Sequence, residues 1–360
     1  RPNMMKTFAM LVLKYRVAVV VITIGLTIFF GYGASKVTLN TDMLSYLRDS
    51  EAVRLFNRIG EDYGGNTVAM VAIEADNIFT TETLTTIRDL TEAYRQIPGV
   101  ATVMSLTNVL DLKAIEGGVE VRKLIDKYAI PQTPEDLERL RAYTLGKEMY
   151  AGKFISLDGK ITLLIARLQP DAKKETVATQ MRARTEARKG THTVYYSGLP
   201  LQMLEMNDLI VQDLRYLILL VIALVILTLY LSFNSVRGVL LPLANVLIAT
   251  LWAVGLMGWL HVEMSLISNI MPIILIAIGS AYSIHLLSKY YEEIHPGVEK
   301  HAVVAEALSK VGLPIIMAGL TTLVGFLSNV GSYLTAVTDF GLFSAFGVGI
   351  AMLLALTFIP

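Results

Sequence analysis

Residues 216–233 read YLILLVIALVILTLYLSF, a stretch without a single charged side chain. A helix needs about 20 mostly apolar residues to cross roughly 30 Å of hydrocarbon. Five further stretches of the chain have the same character. They are Val17–Tyr32, Val239–Leu260, Leu266–Leu287, Leu313–Val330 and Phe340–Pro360. The sequence therefore predicts six membrane-spanning helices.

The composition supports a membrane protein. Of the 360 residues, 54% are hydrophobic and only 17% are charged, whereas a soluble domain carries about a quarter charged residues. The 31 basic and 31 acidic residues cancel, so net charge indicates no nucleic-acid partner. The chain has no Cys, which excludes disulfides, thiolate metal sites and a Cys nucleophile.

The charged residues are concentrated in one block, which divides the chain into three regions. We expect an N-terminal region with the first helix at 1–35, an extracytoplasmic domain at 36–215, and helices two to six at 216–360. The first apolar run is longer than the 7–15 residues of a signal peptide, and Ala34 lacks a clean cleavage pattern. We therefore expect a retained helix rather than a cleaved signal.

Lysine and arginine in short loops predict the orientation. The loops at 261–265 and 331–338 contain neither residue type, whereas the alternate connections are basic. We therefore expect a cytoplasmic N-terminus and an external 36–215 block. The basic residues on the expected cytoplasmic side are Arg1, Lys6, Lys14, Arg16, Arg237, Lys289, Lys300 and Lys310.

The external block alternates strand and helix patterns. Strands are expected at 67–74, 100–106, 161–168 and 193–197, and helices at 80–97 and 173–189. The order β-α-β followed by β-α-β predicts an α+β ferredoxin-like domain. Helices over Val119–Tyr150 are expected as an insertion, and 202–215 is expected to continue into the second span.

A short amphipathic segment lies between the fourth and fifth spans. Residues 297–312 place apolar and charged side chains on opposite sides of a helical pattern. We expect a helix lying on the cytoplasmic interface; a partner-binding helix is the alternative.

The fifth span carries a stripe of small and polar residues. Ala318, Thr322, Gly325 and Asn329 recur at helical spacing, and Thr321 lies beside them. Such stripes allow close approach of helices and hydrogen bonds between them. Helix packing explains the glycines, while Thr322 and Asn329 are also candidates for a hydrated path.

The fourth span contains the candidate ion relay, for which His285, Tyr282 and Ser283 are the candidate residues. Asn269, Gly279, Ser280 and Ser283 share one side of the helical wheel, and Ala281, Tyr282 and His285 cluster on another. Pro272 is expected to kink or loosen the helix. His285 is an ionisable residue inside this span, and intramembrane ionisable residues are often functional. A hydrogen-bonded His285 at the cytoplasmic interface is the alternative.

The chain lacks motifs of enzymes. There is no P-loop, H-E-x-x-H or G-x-S-x-G pattern, and the histidines give no metal-ligand spacing. We therefore expect no enzyme activity, no cofactor and no metal site.

Three motifs carry a family resemblance. They are GLP at 198–200, GSAYSIHLLSKYYEE at 279–293 and GLTTLVGF at 319–326. With one helix, a large external domain and five closely spaced helices, the chain resembles the N-terminal half of a resistance-nodulation-division (RND) transporter. The similarity is to MmpL-like and hydrophobe/amphiphile or hopanoid exporters, which are related to Patched and the sterol-sensing-domain proteins.

The resemblance implies a helical bundle that is half of a twelve-helix fold, with the external block as its porter domain. It implies proton-coupled export of lipids or other amphiphiles, and a second transporter half or another protomer as partner. It also implies a bacterial inner membrane location, and that the chain is a fragment. Many relatives have an Asp where this chain has Ala281. His285, the other half or another ion could replace it in the relay.

Two other functions fit the helix pattern. A non-transporting, sterol-sensor-like receptor would bind lipid among its helices, and the absent Asp favours it modestly. An accessory subunit similar to SecD and SecF would act on polypeptide.

Overall fold

The computed structural model describes residues 2–115, 118–126, 128–295 and 298–360. The chain divides into two compact units, Arg1–Arg48 with Asp208–Pro360, and Asp49–Asn207. The helices are α1 (Pro2–Lys14), α2 (Arg16–Ala34), α3 (Glu51–Asp62), α4 (Thr81–Arg95), α5 (Pro134–Leu145), α6 (Lys174–Glu186), α7 (Leu199–Phe233), α8 (Val236–Trp259), α9 (Met271–Glu293), α10 (Lys300–Leu327) and α11 (Thr335–Thr357). The strands are β1 (Leu39–Asn40), β2 (Val68–Glu74), β3 (Val100–Met104), β4 (Leu110–Ile115), β5 (Gly118–Lys123), β6 (Ile161–Leu168), β7 (Thr193–Ser197) and β8 (Met264–Ser265).

Six helices in the described part of the chain are long and apolar enough to cross a membrane, as the sequence predicts. These candidate spans are Arg16–Ala34, Leu199–Phe233, Val236–Trp259, Ser268–Glu293, Lys300–Gly331 and Thr335–Thr357. The expected continuity of 202–215 with the second span is confirmed, because α7 is one helix of 35 residues.

Glycines bring two spans into backbone contact. A Cβ added to Gly258 of α8 would lie 1.9 Å from the carbonyl oxygen of Gly33 in α2, and one added to Gly255 would lie 2.1 Å from that of Phe30. The indole N–H of Trp252 donates to Thr27 Oγ1 at 3.1 Å. Close approach at small residues, with a hydrogen bond between helices, is the usual way that helices pack in a bilayer.

The separate interfacial helix expected at 297–312 is not formed. Its described part and the fifth span are one continuous helix, α10, which passes through Pro314; Gly297 lies outside the described residues. The first turns of α10 pack against α1, where Lys6 Nζ lies 2.9 Å from Glu306 Oε2 and Met5 contacts Gly312. Burial of Val303, Ala305, Ala307 and Leu308 accounts for the amphipathic pattern of these turns.

The second unit is built on a four-stranded antiparallel sheet in the order β3-β6-β2-β7. Burial alternates along β2 and β6, so one face of the sheet is covered. The core side chains come from these strands and from α4 and α6, and include Val71, Leu164, Ile87, Leu90 and Met181. The alternating pattern explains why the ends of these strands were predictable from sequence.

Two local predictions are wrong. The insertion expected to be helical from Val119 begins with a strand, since β4 and β5 form an antiparallel hairpin before α5. Val119 and Val121 of β5 alternate with polar residues and are exposed, a two-residue periodicity that fits a strand of a hairpin.

Pro272 does not kink the fourth span, because it lies in the first turn of α9, where the N–H group that proline lacks would have no partner within the helix.

Candidate functional site

A buried polar contact joins the middle of three spans. Asn245 of α8 donates from Nδ2 to Ser283 Oγ of α9 at 2.7 Å and to the Ala351 carbonyl of α11 at 3.2 Å. Both polar side chains are fully buried. Ser283 therefore has a helix-linking partner, and Asn245 is a site residue that the sequence analysis missed.

The other small residues on this side of α9 pack against neighbouring helices. A Cβ on Gly279 would lie 3.1 Å from both Ala351 and Val246, so the glycine lets α9 approach α11 and α8. Ser280 donates to the Ala277 carbonyl at 2.9 Å. Ser280 also lines a crevice of about 270 Å³ whose opposite wall is formed by α7.

Tyr282 points its hydroxyl into the bundle. Its side chain is 4% exposed, and its Oη lies near Thr322 of α10. Neither this hydroxyl nor Oδ1 of Asn245 nor Oγ of Ser344 has a hydrogen-bond partner among the described residues. Because buried polar atoms are nearly always satisfied, such groups are the ones that bind water or ligand inside a protein.

His285 lies one turn further along α9 and is exposed on the surface of this chain. Within the described residues it makes no hydrogen bond and no ion pair. The structure therefore does not bring His285 together with Ser283, although both are in the predicted relay. Ala281, at the position of the absent Asp, is half-buried.

One carboxylate inside a span was overlooked. The sequence places the sixth span from Phe340, but α11 begins at Thr335, so Asp339 lies in the second turn of the span 335–357. Asp339 is half-buried, and no described residue forms an ion pair or hydrogen bond with its carboxylate. Asp339 is therefore an ionisable candidate inside a span, in addition to His285.

The polar stripe of the fifth span faces largely outward. Thr321 and Gly325 are exposed, and no atom lies within 4 Å of a Cβ built on Gly325. Asn329 follows in a 3-10 turn and donates to the Phe326 carbonyl at 3.1 Å. Asn269 lies in another such turn before α9, and its Oδ1 is buried without a partner among the described residues.

A buried carboxylate organises part of the second unit. Asp111 accepts hydrogen bonds from Tyr143 Oη, Tyr150 Oη and Lys147 Nζ, each at 2.8 Å. Burial raises the pKa of Asp111, but these donors and the lysine charge outweigh it and lower that pKa to about 2. These contacts attach β4, and with it the β4–β5 hairpin, to α5 and to the residues that follow α5.

Comparison with known proteins is consistent with this architecture. The MMPL family matches residues 45–360. "Putative membrane protein MJ1562" of Methanocaldococcus jannaschii is 23% identical over 347 residues, which cover 93% of this chain and 87% of that protein. "Probable transport protein MmpL12" of Mycobacterium tuberculosis is 27% identical over 173 residues, which cover 47% of this chain and 15% of that protein.

Proposed function

The chain belongs to the MMPL family, and on that premise we propose that it is a secondary transporter that exports hydrophobic or amphiphilic molecules such as lipids. The observation that carries the proposal is the family match across five of the six spans and the whole second unit. Its similarity to a protein named as a transport protein supports transport rather than reception.

The second unit is proposed to be the porter domain. Numbered along the chain, the strands of its two β-α-β segments lie in the order 4-1-3-2 across the sheet. That order supports a ferredoxin-like domain, with α4 and α6 as its two helices. In this proposal the domain lies outside the plasma membrane and the N-terminus lies in the cytoplasm, as the loop charges predict.

Proton coupling is proposed to use groups within the spans. Asp339 and His285 can each exchange a proton, and the buried Tyr282 hydroxyl and Asn245 amide oxygen can bind water between helices. Intramembrane ionisable residues are costly and commonly mark proton relays. Asp339 supplies a carboxylate in this chain although Ala281 does not.

The exposed polar stripe supports a second half as partner. His285, Thr321 and Gly325 are exposed in this chain at positions inside candidate spans. Polar and small residues in lipid-embedded helices usually face another helix. We therefore propose that a second transporter half, or another protomer, covers this face.

A flux measurement tests the function. The chain, reconstituted in vesicles with the fluorescent amphiphile N-phenyl-1-naphthylamine, should move the dye when a proton gradient is imposed, and pyranine should report accompanying proton flow. Vesicles with a collapsed gradient are the control. A purified, folded chain that binds the dye but moves neither dye nor protons would favour a receptor and contradict transport.

A further inference from the structure

A cavity of about 690 Å³ lies among the ends of four helices. The start of α8 with the residue before it, the end of α9, the start of α10 and residues 359–360 after α11 form its wall, and apolar side chains cover much of it. Leu241, Leu286, Leu287 and Ile294 are among these. Its volume falls within the range of ligand-binding sites.

Two cations line the same cavity. Arg237 lies in the first turn of α8, and Lys300 is the first residue of α10. Both residues are exposed, and within the described part of the chain neither one forms an ion pair. Two unpaired positive charges beside apolar walls would attract a molecule with an anionic head and an apolar tail.

Two carboxylates near the cavity are already paired with other lysines. Glu293 accepts from Lys310 at 2.7 Å and Lys289 at 3.0 Å, and Glu306 lies 2.9 Å from Lys6. Glu292 also contacts Lys289, at 2.8 Å, while the exposed Glu299 lies 3.6 Å from His301 Nδ1. Arg237 and Lys300 form no ion pair with any of these carboxylates among the described residues.

Further donors lie at the cavity. Tyr291 Oη is 3.3 Å from Ser235 Oγ, and both residues line the wall. The start of α10 is also there, with Lys300 as its first residue and no side-chain cap on its free N–H groups. Free amides at a helix start favour a phosphate or carboxylate.

We propose that this cavity binds an anionic phospholipid of the surrounding membrane. Its phosphate lies between Arg237 and Lys300, and an acyl chain lies along Leu241 and Leu286. The membrane is the source because the lining residues are at the ends of the spans 236–259, 268–293 and 300–331, the level at which headgroups lie. The proposal is independent of transport.

Lipid binding to the whole chain tests it. The chain is purified in detergent, and native mass spectrometry compares bound phosphatidylglycerol with phosphatidylcholine. The double variant R237Q/K300Q should weaken phosphatidylglycerol binding by about tenfold or more, since each cation near an anionic headgroup contributes roughly fivefold. The double variant K14Q/R16Q removes two exposed cations from the same end of the bundle, outside the cavity, and should change affinity by less than about twofold.

A third variant distinguishes the cavity from its charges. Leu241→Trp should fill the apolar part and weaken phosphatidylglycerol binding while both cations remain. If R237Q/K300Q and K14Q/R16Q lost the same affinity for phosphatidylglycerol, the lipid would be held by general attraction to a basic surface, and the proposal would be overturned. Equal affinity of the chain for phosphatidylglycerol and phosphatidylcholine would overturn it as well. So would full binding in Leu241→Trp. Thermal unfolding of each variant establishes that the fold is retained.

Discussion

Lys147 Nζ lies 2.8 Å from Asp111 Oδ1, and the Asp111 side chain is 1% exposed. This pair joins the β4–β5 hairpin to the residues after α5, and two tyrosine hydroxyls and Arg122 Nε of β5 also donate to the carboxylate. A hairpin with exposed side chains on both faces has little apolar surface to bury, so these polar contacts hold it to the unit.

We predict that the Asp111 contacts lose their stabilising effect in acid. The folded pKa of about 2 lies below the ordinary value of 3.8, so the contribution is present above about pH 4 and disappears as the pH falls through 2. Asp111→Asn should lower the free energy of unfolding by about 2 kcal/mol at pH 7, with no difference near pH 2.

Thermal unfolding across this pH range, with hydrogen exchange of residues 110–115 and 118–123, measures the effect. Glu138→Gln alters an exposed pair with Arg141 and should cost less than about 0.5 kcal/mol. An Asp111→Asn penalty that persists unchanged at pH 2 would contradict the assignment.

The Asn245–Ser283 contact should stabilise the bundle. Asn245→Ala removes donors to two helices and leaves a cavity, so we expect a loss of about 1–3 kcal/mol. Ser283→Ala leaves the bond to the Ala351 carbonyl, and about 0.5–1.5 kcal/mol is expected.

Unfolding in mixed detergent micelles gives these values. Thr321→Ala is the matched control, because Thr321 is exposed and donates only to the Met317 carbonyl of its own helix. If Thr321→Ala and Asn245→Ala were equally costly, the buried contact would have no special role.

Two glycines of α2 should respond oppositely to alanine. A Cβ on Gly33 would lie 2.3 Å from the Gly255 carbonyl oxygen, whereas Gly25 has no atom within 4 Å of that position. Gly33→Ala should therefore cost about 1–3 kcal/mol through overpacking, and Gly25→Ala should be neutral or slightly stabilising. Thermal unfolding of the two variants measures the difference. An equal loss of stability in Gly33→Ala and Gly25→Ala would indicate that α2 tolerates substitution poorly at any position and would contradict the close contact as the cause.

Coupling should depend more on Asp339 than on His285. Asp339→Asn removes a half-buried carboxylate and should abolish proton-driven dye movement, while dye binding is retained. His285→Ala should reduce the rate of dye movement less than Asp339→Asn does, because the imidazole is exposed on this chain rather than held inside the bundle. Undiminished, still pH-dependent transport in both variants would remove both residues from the relay.

The sequence predicts most of the fold because burial imposes short-range patterns. Alternation marks β2 and β6, and a Thr cap marks the start of α4, where Thr80 accepts from the Thr83 amide. Continuous α10 was missed because Pro314 and flanking charges suggest a break, which tertiary packing against α1 overrides. The hairpin strand β5 was missed because its charges mask a short alternating pattern.

The candidate site was less predictable than the fold. Asn245 is a single polar residue in an apolar span, and its partners lie 38 and 106 residues away. No local pattern encodes such a contact. Asp339 was excluded only because the apolar run starts after it, although the helix starts before it. His285 was identified from residue type, whereas its exposure depends on packing.

The touching backbones of α2 and α8 limit how the bundle can move. Gly33 and Gly258 are in contact, and the rings of Phe29 and Trp259 stack with their centroids 4.7 Å apart. Neither helix can slide past the other without a clash, so we expect α2 and α8 to move together as one rigid unit. The span of α7 is only 6% buried, and few side chains hold it in place. If the proposed transport takes place, we expect α7 to be the helix that moves, and spin labels at Leu219 and Leu224, two of its exposed positions, would record that movement.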